Sequence, residues 1–336
     1  MPHALPIAAV LVFALVLAGC SSGPRIVEEH AVERCPVPMA RVRVLGIAQD
    51  GGVPHAGCTC PNCTAALADP ARRAHVASLA IIVPSTERPR APDKVYLIDA
   101  TPDVADQIRM LADVRDAPAA RTDRTPVDGL FLTHAHIGHY LGLAQFGFEV
   151  MHTNRLPVWC TDRMAAFLRT NAPWSQLVDK QEIDLRPLTA GDPVDLGSGI
   201  TVTPILVPHR SEFTDTCAFV IRGPRRTIFY MPDCDPWHRW IAPIDEILAG
   251  EHVDVAILDA TFYSMDELPG RDLSAIGHPP IVTTMDTLQP NVDAGLDVRF
   301  IHLNHSNPAL DPASPERAEI NRRGFAVAHE GEEIEL

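Results

Sequence analysis

The chain has 336 residues, 46% of them hydrophobic and 21% charged, enough apolar material to bury a sizeable core in one large domain or two small ones. Its formal net charge of −15 argues against nucleic acid as a partner, because phosphate binding needs a basic stripe and "RRAH" at 72–75 and "RGPRR" at 222–226 are only short basic runs. Thirty-one prolines punctuate the apolar runs as loop residues do.

In chain order, the first segment reads as targeting rather than structure. "LPIAAVLVFALVLAGC" is short for a spanning helix and ends in small residues, as a signal peptide does. Its ending "LAGC" resembles a bacterial lipobox with Cys20 as the lipidated residue; an ordinary signal or an anchor helix is the alternative. Residues 1–20 are therefore expected to be a lipoprotein signal and 21–40 a tether without periodicity. That makes the protein an exported lipoprotein of the cell envelope, facing the periplasm or the outer surface and touching the membrane through Cys20. Residues 41–336 are expected to form the folded domain.

From residue 42 onward β-rich runs recur: "VRVLGIA", "SLAIIVP", "KVYLIDA", "GLFLTH", "PVWCTD", "ITVTPILVPH", "CAFVIRG", "RTIFYMPD", "VAILDAT" and "VRFIHLNH". Several are almost continuous in Val, Ile and Leu, which predicts strands covered on both faces. A helix is expected over 101–114, with Thr101 as N-cap, Pro102 at N1 and apolar positions at 104, 108, 111 and 114. Shorter helices are expected over 162–171 and 242–250, and a hairpin turning at Gly223-Pro224. Strands with interspersed helices point to an α/β, layered architecture.

Polar residues fall where these strands end. His134 and His136 close "GLFLTHAH", His209 closes "TVTPILVPH", Asp233 closes "TIFYMPD", Asp259 closes "VAILDA" and His302 closes "VRFIHLNH". Any one alone reads as a hydrogen-bonded or surface side chain. Together they collect imidazole and carboxylate along one sheet edge, a donor set that suits zinc and its neighbours. Separately, "CTCPNC" brings Cys58, Cys60 and Cys63 within six residues, compact enough to wrap one structural Zn²⁺; a disulfide plus a free thiol is the competing reading in an oxidising compartment. The remaining cysteines besides Cys20 are Cys35, Cys160, Cys217 and Cys234. Hairpin pairing sets Cys217 opposite position 232 and Cys234 on a diagonal, too far for easy bridging, so no disulfide is expected there.

"THAHIGHYLGL" resembles the HxHxDH motif of the metallo-β-lactamase fold. "LGIAQDGGVPHAGCTCPNC", "YLIDATPDVADQI", "GRDLSAIGHPP" and "FIHLNHSNPAL" with the closing "EIEL" are similar to the pyrroloquinoline quinone (PQQ) biosynthesis protein B family. The cysteine motif is also similar to that of the carbon–phosphorus lyase pathway phosphodiesterase. The resemblance spans essentially all of 41–336 and implies an αββα sandwich of two mixed sheets with outer helices. It implies that His134, His136 and His209 hold a first metal, that His139 and His302 serve a second, and that Asp233 bridges. It offers His305 as the fourth ligand of the cysteine site and His278 as a catalytic or substrate-contacting residue.

The chain departs from the motif at Gly138, which stands where the Asp ligand belongs. A weak or absent second active-site metal is the expectation. Asp50 in "QDGG" is a candidate to replace that carboxylate in part; turn chemistry is the other reading of the same residues. The function expected is a metal-dependent hydrolase of an ester-like or phosphodiester-like small molecule, with Zn²⁺, Fe or Mn at the active site. Asp233 would position the attacking water, with His209 and His278 beside it. The alternatives are an iron-dependent oxidase or oxygenase in PQQ-type cofactor synthesis, as the resemblance allows, and a non-catalytic envelope carrier of a quinone or metabolite. The extended cysteine motif separates the chain from lactam-hydrolysing branches.

Overall fold

The computed structural model describes residues 39–85, 92–114, 125–268, 270 and 277–336. The expected signal, most of the tether, Cys20 and Cys35 lie outside them. No helix among the described residues is long and apolar enough to cross a membrane.

Among the described residues, fourteen strands form two sheets. The first contains β1 (Arg41–Gly46), β2 (Ser78–Val83), β3 (Lys94–Ile98), β4 (Gly129–Phe131), β5 (Leu156–Cys160), β6 (Ile183–Pro187) and β14 (Glu333–Glu335), in the order β14-β1-β2-β3-β4-β5-β6. The second contains β7 (Val194–Gly197), β8 (Ile200–Val207), β9 (Thr216–Arg222), β10 (Thr227–Met231), β11 (Val255–Asp259), β12 (Asp297–Ile301) and β13 (Ala326–Val327), in the order β13-β12-β11-β10-β9-β8-β7. The helices are α1 (Pro61–Ala68), α2 (Val104–Arg109), α3 (Ile137–Tyr140), α4 (Asp162–Thr170), α5 (Trp174–Asp179), α6 (Ile244–Gly250), α7 (Ile281–Asp293) and α8 (Pro315–Arg322).

The period of two along each strand distributes side chains over the layers. Phe131, Ile98, Ile81, Phe219, Ile228, Tyr230 and Ile257 point between the sheets and form the inner core. Their neighbours Leu130, Leu97, Ala80 and Ile82 pack outward with Val104, Met164 and Leu168 of α2 and α4. Phe229, Met231, Ala256 and Leu258 pack outward on the other side with Leu248, Ile281, Met285 and Ile320 of α6, α7 and α8. Strands buried on both faces read as continuous apolar runs for this reason, and the result is the expected αββα layering. Phe131 is fully buried, stacked on Trp159 at 4.8 Å and edge-on to Phe219 at 5.7 Å, a burial that contributes roughly 1.5–3 kcal/mol.

The β9–β10 hairpin has the expected register, with Arg222 opposite Thr227 and Phe219 opposite Tyr230. Cys217 lies in the inner core and Cys234 in the outer one, so they face opposite sides of the sheet, and both are unbridged. The helix expected over 101–114 is shorter than predicted and starts later, at Val104. Thr101 is not its N-cap: its hydroxyl accepts from the Asp103 N–H and donates to Gln107 Oε1, holding a turn before the helix. The expected apolar face is nonetheless the one that packs inward.

Strand direction creates the edge. β3, β4, β5 and β6 run parallel; β1 is antiparallel to β2, which is antiparallel to β3, so β1 shares their direction. In the second sheet β10, β11 and β12 run parallel, and β8 joins their direction through β9. The residues after β1, β4, β8, β10 and β12 therefore gather at common sheet ends.

Candidate metal centre

His134 and His136 follow β4, in the segment that leads into α3. The His134 ring lies in a fixed tautomer. Asp99 accepts from the Thr133 N–H at 2.8 Å and from the Thr133 hydroxyl at 2.9–3.0 Å. That hydroxyl has one proton and gives it to the carboxylate, so it accepts from His134 Nδ1–H at 3.0 Å. His134 Nε2 is left with its lone pair, and burial, aided by the charge of His139, holds the ring well below the ordinary histidine pKa.

His134 Nε2 lies 2.8 Å from His136 Nδ1, and His209 Nε2 lies 3.2 Å from the same atom. Asp233 Oδ2 is 3.1 Å from His134 Nε2, and Asp233 Oδ1 is 3.4 Å from His209 Nε2. These separations suit a tetrahedral cation: zinc–nitrogen bonds of about 2.0–2.1 Å set ligands about 3.3 Å apart. Without a cation, lone pairs at this spacing repel. His209 is brought here by the Asp235 N–H, which donates to the Pro208 carbonyl at 2.7 Å and ties the β8 end to the β10 end. Glu212 takes the outer edge of His136, its Oε2 lying 3.2 Å from Nε2.

A second group adjoins the first. His139 Nδ1–H donates to Asp99 Oδ2 at 2.7 Å, directing Nε2 to within 3.4 Å of Asp233 Oδ2 and 3.6 Å of Asp50 Oδ1. Burial pushes the His139 pKa down, but Asp99 and Asp233 outweigh it and hold it well above the ordinary value. His302 is set by the opposite sheet: Thr261 donates to Asp259 Oδ1 at 2.8 Å and so accepts from His302 Nδ1–H at 3.0 Å. His302 Nε2 lies 3.9 Å from Asp50 Oδ1 and 4.0 Å from Asp233 Oδ2. Asp233 thus faces both groups, and the fit to two cations sharing one carboxylate is chemical as well as geometric.

His278 has a different part. Its Nδ1–H donates to Asp259 Oδ2 at 2.7 Å and lies 3.1 Å from Asp233 Oδ1. Burial opposes its charge, yet Asp259 and Asp233 hold the ring well above the usual histidine pKa, as Asp99 and Asp233 do for His139. It also lines a cavity of about 510 Å³ with Trp237, Arg239, Met265 and Pro280. Asp99, His278 and His302 all hold left-handed backbone (φ 70°, 66° and 64°), a cost of about 1 kcal/mol or more each that packing at this edge sustains.

The cysteine group forms a separate centre. Cys58, Cys60, Cys63 and His305 offer ligand atoms all within 4.8 Å of one another. His305 Nδ1 is 3.3 Å from Cys58 Sγ and 3.5 Å from Cys60 Sγ. Asn62 Nδ2 donates to the carbonyls of His305 and Asn307, at 3.0 and 2.9 Å, fastening the start of α1 to the segment after β12. Burial pushes the Cys63 thiol up to about 12, so a soft cation is what would make it a thiolate.

Every metal-ligand and catalytic candidate read from the sequence thus lies either at the sheet edge or in the cysteine group. Asp99, Thr133, Thr261 and Glu212 are the functional neighbours sequence reasoning passed over. A signal for Asp99 existed: the "DAT" at 99–101 repeats at 259–261, where Asp259 had stood out.

Comparison with known proteins agrees with this fold. Residues 94–302 match the model of the β-lactamase superfamily domain. Coenzyme PQQ synthesis protein B of Azotobacter vinelandii is 30% identical over 321 residues, covering 88% of this chain and 99% of that protein. The chain belongs to this family. The same protein from Rhodopseudomonas palustris is 28% identical over 327 residues, with 89% and 100% covered. Among solved structures, Zn²⁺-bound PqqB from Methylobacterium extorquens superposes with a TM-score of 0.71 at 22% identity, over 88% of this chain and 100% of that one. A diphosphatase of the PhnP family gives 0.59 at 19% identity, over 89% and 98%. Both share the metallo-β-lactamase fold, and the His/Asp clusters of this family member mark it as metal-binding.

Proposed function

We propose that this PQQ synthesis protein B relative is a metal-dependent hydrolase acting on an ester-like or phosphodiester-like small molecule. The supporting observation is the convergence of His134 Nε2, His136 Nδ1 and His209 Nε2 on Asp233, with lone pairs facing one another at 2.8–3.2 Å. A cation held by these groups supplies Lewis acidity and a water activated near pH 7. Asp233 Oδ1, buried and without a hydrogen-bond partner, positions the attacking water. His278, charged and held by Asp259, gives a proton to the leaving oxygen or holds its negative charge. Trp237, Met265 and Pro280 wall the substrate away from water, and the ion pair of Arg239 with Asp235 borders the opening.

A second reading has the donor set in its favour. Imidazole and carboxylate hold iron as well as zinc, and the relatives are named for coenzyme PQQ synthesis. One experiment separates the two. Protein purified without added metal is analysed for metal, then assayed on bis-p-nitrophenyl phosphate and for oxygen uptake. Zinc or manganese with phosphodiester turnover, both lost in His134→Ala while the cysteine-site zinc stays, supports the hydrolase. Iron with oxygen uptake replaces it by the oxidase. Turnover unaffected by His134→Ala defeats both, and tight quinone binding without turnover points to a carrier. We infer membrane attachment from the LAGC sequence alone; Cys20→Ser should move the protein from the membrane fraction to the soluble one.

A further inference from the structure

Three buried polar atoms at the sheet edge have no hydrogen-bond partner and face one another: Asp50 Oδ1, His139 Nε2 and His302 Nε2. The two imidazoles are turned there by their other nitrogens, His139 through Asp99 and His302 through Thr261. A buried carboxylate oxygen and two buried imidazole nitrogens left unsatisfied together is a costly arrangement unless a cation completes it.

Asp50 arrives from an unexpected direction. It follows β1, and its loop is stitched to the segment after β12: the Gln49 N–H donates to the Leu303 carbonyl at 2.9 Å, and the Leu303 N–H donates to the Ile47 carbonyl at 2.8 Å. The loop therefore moves with His302. Against it lies Gly138. A Cβ at that position would run into Asp50 Oδ1 and come within 2.7 Å of Asp50 Cα and 2.9 Å of Cγ. Contact with Cα is not relieved by side-chain rotation, so a side chain at 138 and the observed Asp50 position exclude each other.

We propose that Asp50 is the carboxylate ligand of a second metal position, completed by His139, His302 and Asp233, and that Gly138 is glycine because Asp50 occupies the space the missing aspartate would need. The proposal rests on the metal-dependent reading of the edge and names the carboxylate that Gly138 cannot supply. The full-length protein then holds three cations: one at the cysteines and two at the edge.

The test counts metals and asks whether two of them are coupled. Wild type, Asp50→Asn and Gly138→Ala are stripped, reloaded with zinc at the cysteine site and titrated with Mn²⁺ by calorimetry and electron paramagnetic resonance. Wild type should bind two Mn²⁺ with a spin-coupled spectrum. Asp50→Asn should bind one, with at least tenfold weaker affinity for the second and an isolated-ion spectrum. Gly138→Ala, whose methyl displaces Asp50, should do the same, and it serves as the test if Asp50→Asn fails to retain the cysteine-site zinc. Two coupled Mn²⁺ in either folded variant overturns the proposal, as does a single Mn²⁺ in wild type, while the hydrolase reading survives both. No Mn²⁺ at the edge of wild type removes that reading along with this one.

Discussion

The two sheets contribute half-sites of the same construction and different use. In the first, Asp99 closes the β3 run and holds Thr133, His134 and His139. In the second, Asp259 closes β11 and holds Thr261, His302 and His278. Each carboxylate takes a threonine N–H and hydroxyl, and each threonine fixes the tautomer of one histidine. The difference lies in the remaining histidine. Both rings spend Nδ1–H on the strand-end carboxylate, but His139 turns Nε2 to Asp50 and Asp233, whereas His278 meets Asp233 with the same Nδ1 edge and lines the cavity. One half is built to hold cations and the other half divides between a cation and the substrate. The same hydrogen bond to a strand-end carboxylate thus leaves one ring with Nε2 on two further carboxylates and sets the other at the wall of the cavity.

The largest test of that asymmetry is His278→Gln. Turnover on a phosphodiester should fall by about 10²–10⁴-fold with metal content unchanged. Loss of metal instead would make His278 a ligand and erase the distinction. Next come the two carboxylates. Asp99→Asn should weaken both edge metals by roughly 10–100-fold, since it orients His134 and His139, whereas Asp259→Asn should weaken only the His302 position; equal losses in calorimetric titration would break the comparison. Thr133→Val and Thr261→Val should each lower stability by about 1–3 kcal/mol in urea melts, leaving a buried imidazole N–H unpaired. A variant as stable as wild type would mean its histidine adopts the other tautomer.

The smallest effect lies beside the Asp50 loop, where His75 hydrogen-bonds Glu330 at 2.8 Å and its carbonyl accepts from Ile47 and Ala48. Glu330 raises the pKa of His75 above its ordinary 6.5 against partial burial. The stabilisation is therefore complete below about pH 6.5 and fades as pH rises through the raised value. His75→Gln should cost roughly 0.5 kcal/mol near pH 5.5 and close to nothing near pH 9, as expected for a half-exposed pair. Equal shifts in melting temperature at both pH values would contradict it.

Much of the frame was legible. Ten strands showed as apolar runs because both faces of their sheets are covered. β6, β7, β13 and β14 did not, being short or half-polar: "IDLRP" and "VDLG" carry little apolar signal. α7 was missed because "IVTTMDTLQPNVD" is rich in β-branched residues and holds Pro290 near its end. Its helicity comes from packing Ile281, Met285 and Leu288 on the second sheet. Among the site residues, His134, His136, His209, His302 and Asp233 stood out because each lies just past a strand, whereas His139, His278 and His305 entered through the family resemblance. Thr133 and Thr261 did not, since a threonine next to a strand end is ordinary until its partner is known.

By itself the sequence determined which donors exist, that they close strands, and that the strands layer into two covered sheets, because these depend on residue type and on spacing along the chain. Only the tertiary structure decided that the loop after β1 meets α3 and the segment after β12. The space above Gly138 is filled by a residue 88 positions earlier in the chain, Asp50, and no local pattern records that. Contacts between distant segments are set by how whole sheets pack, and so the glycine that read as a missing ligand stands beside the carboxylate that takes its room.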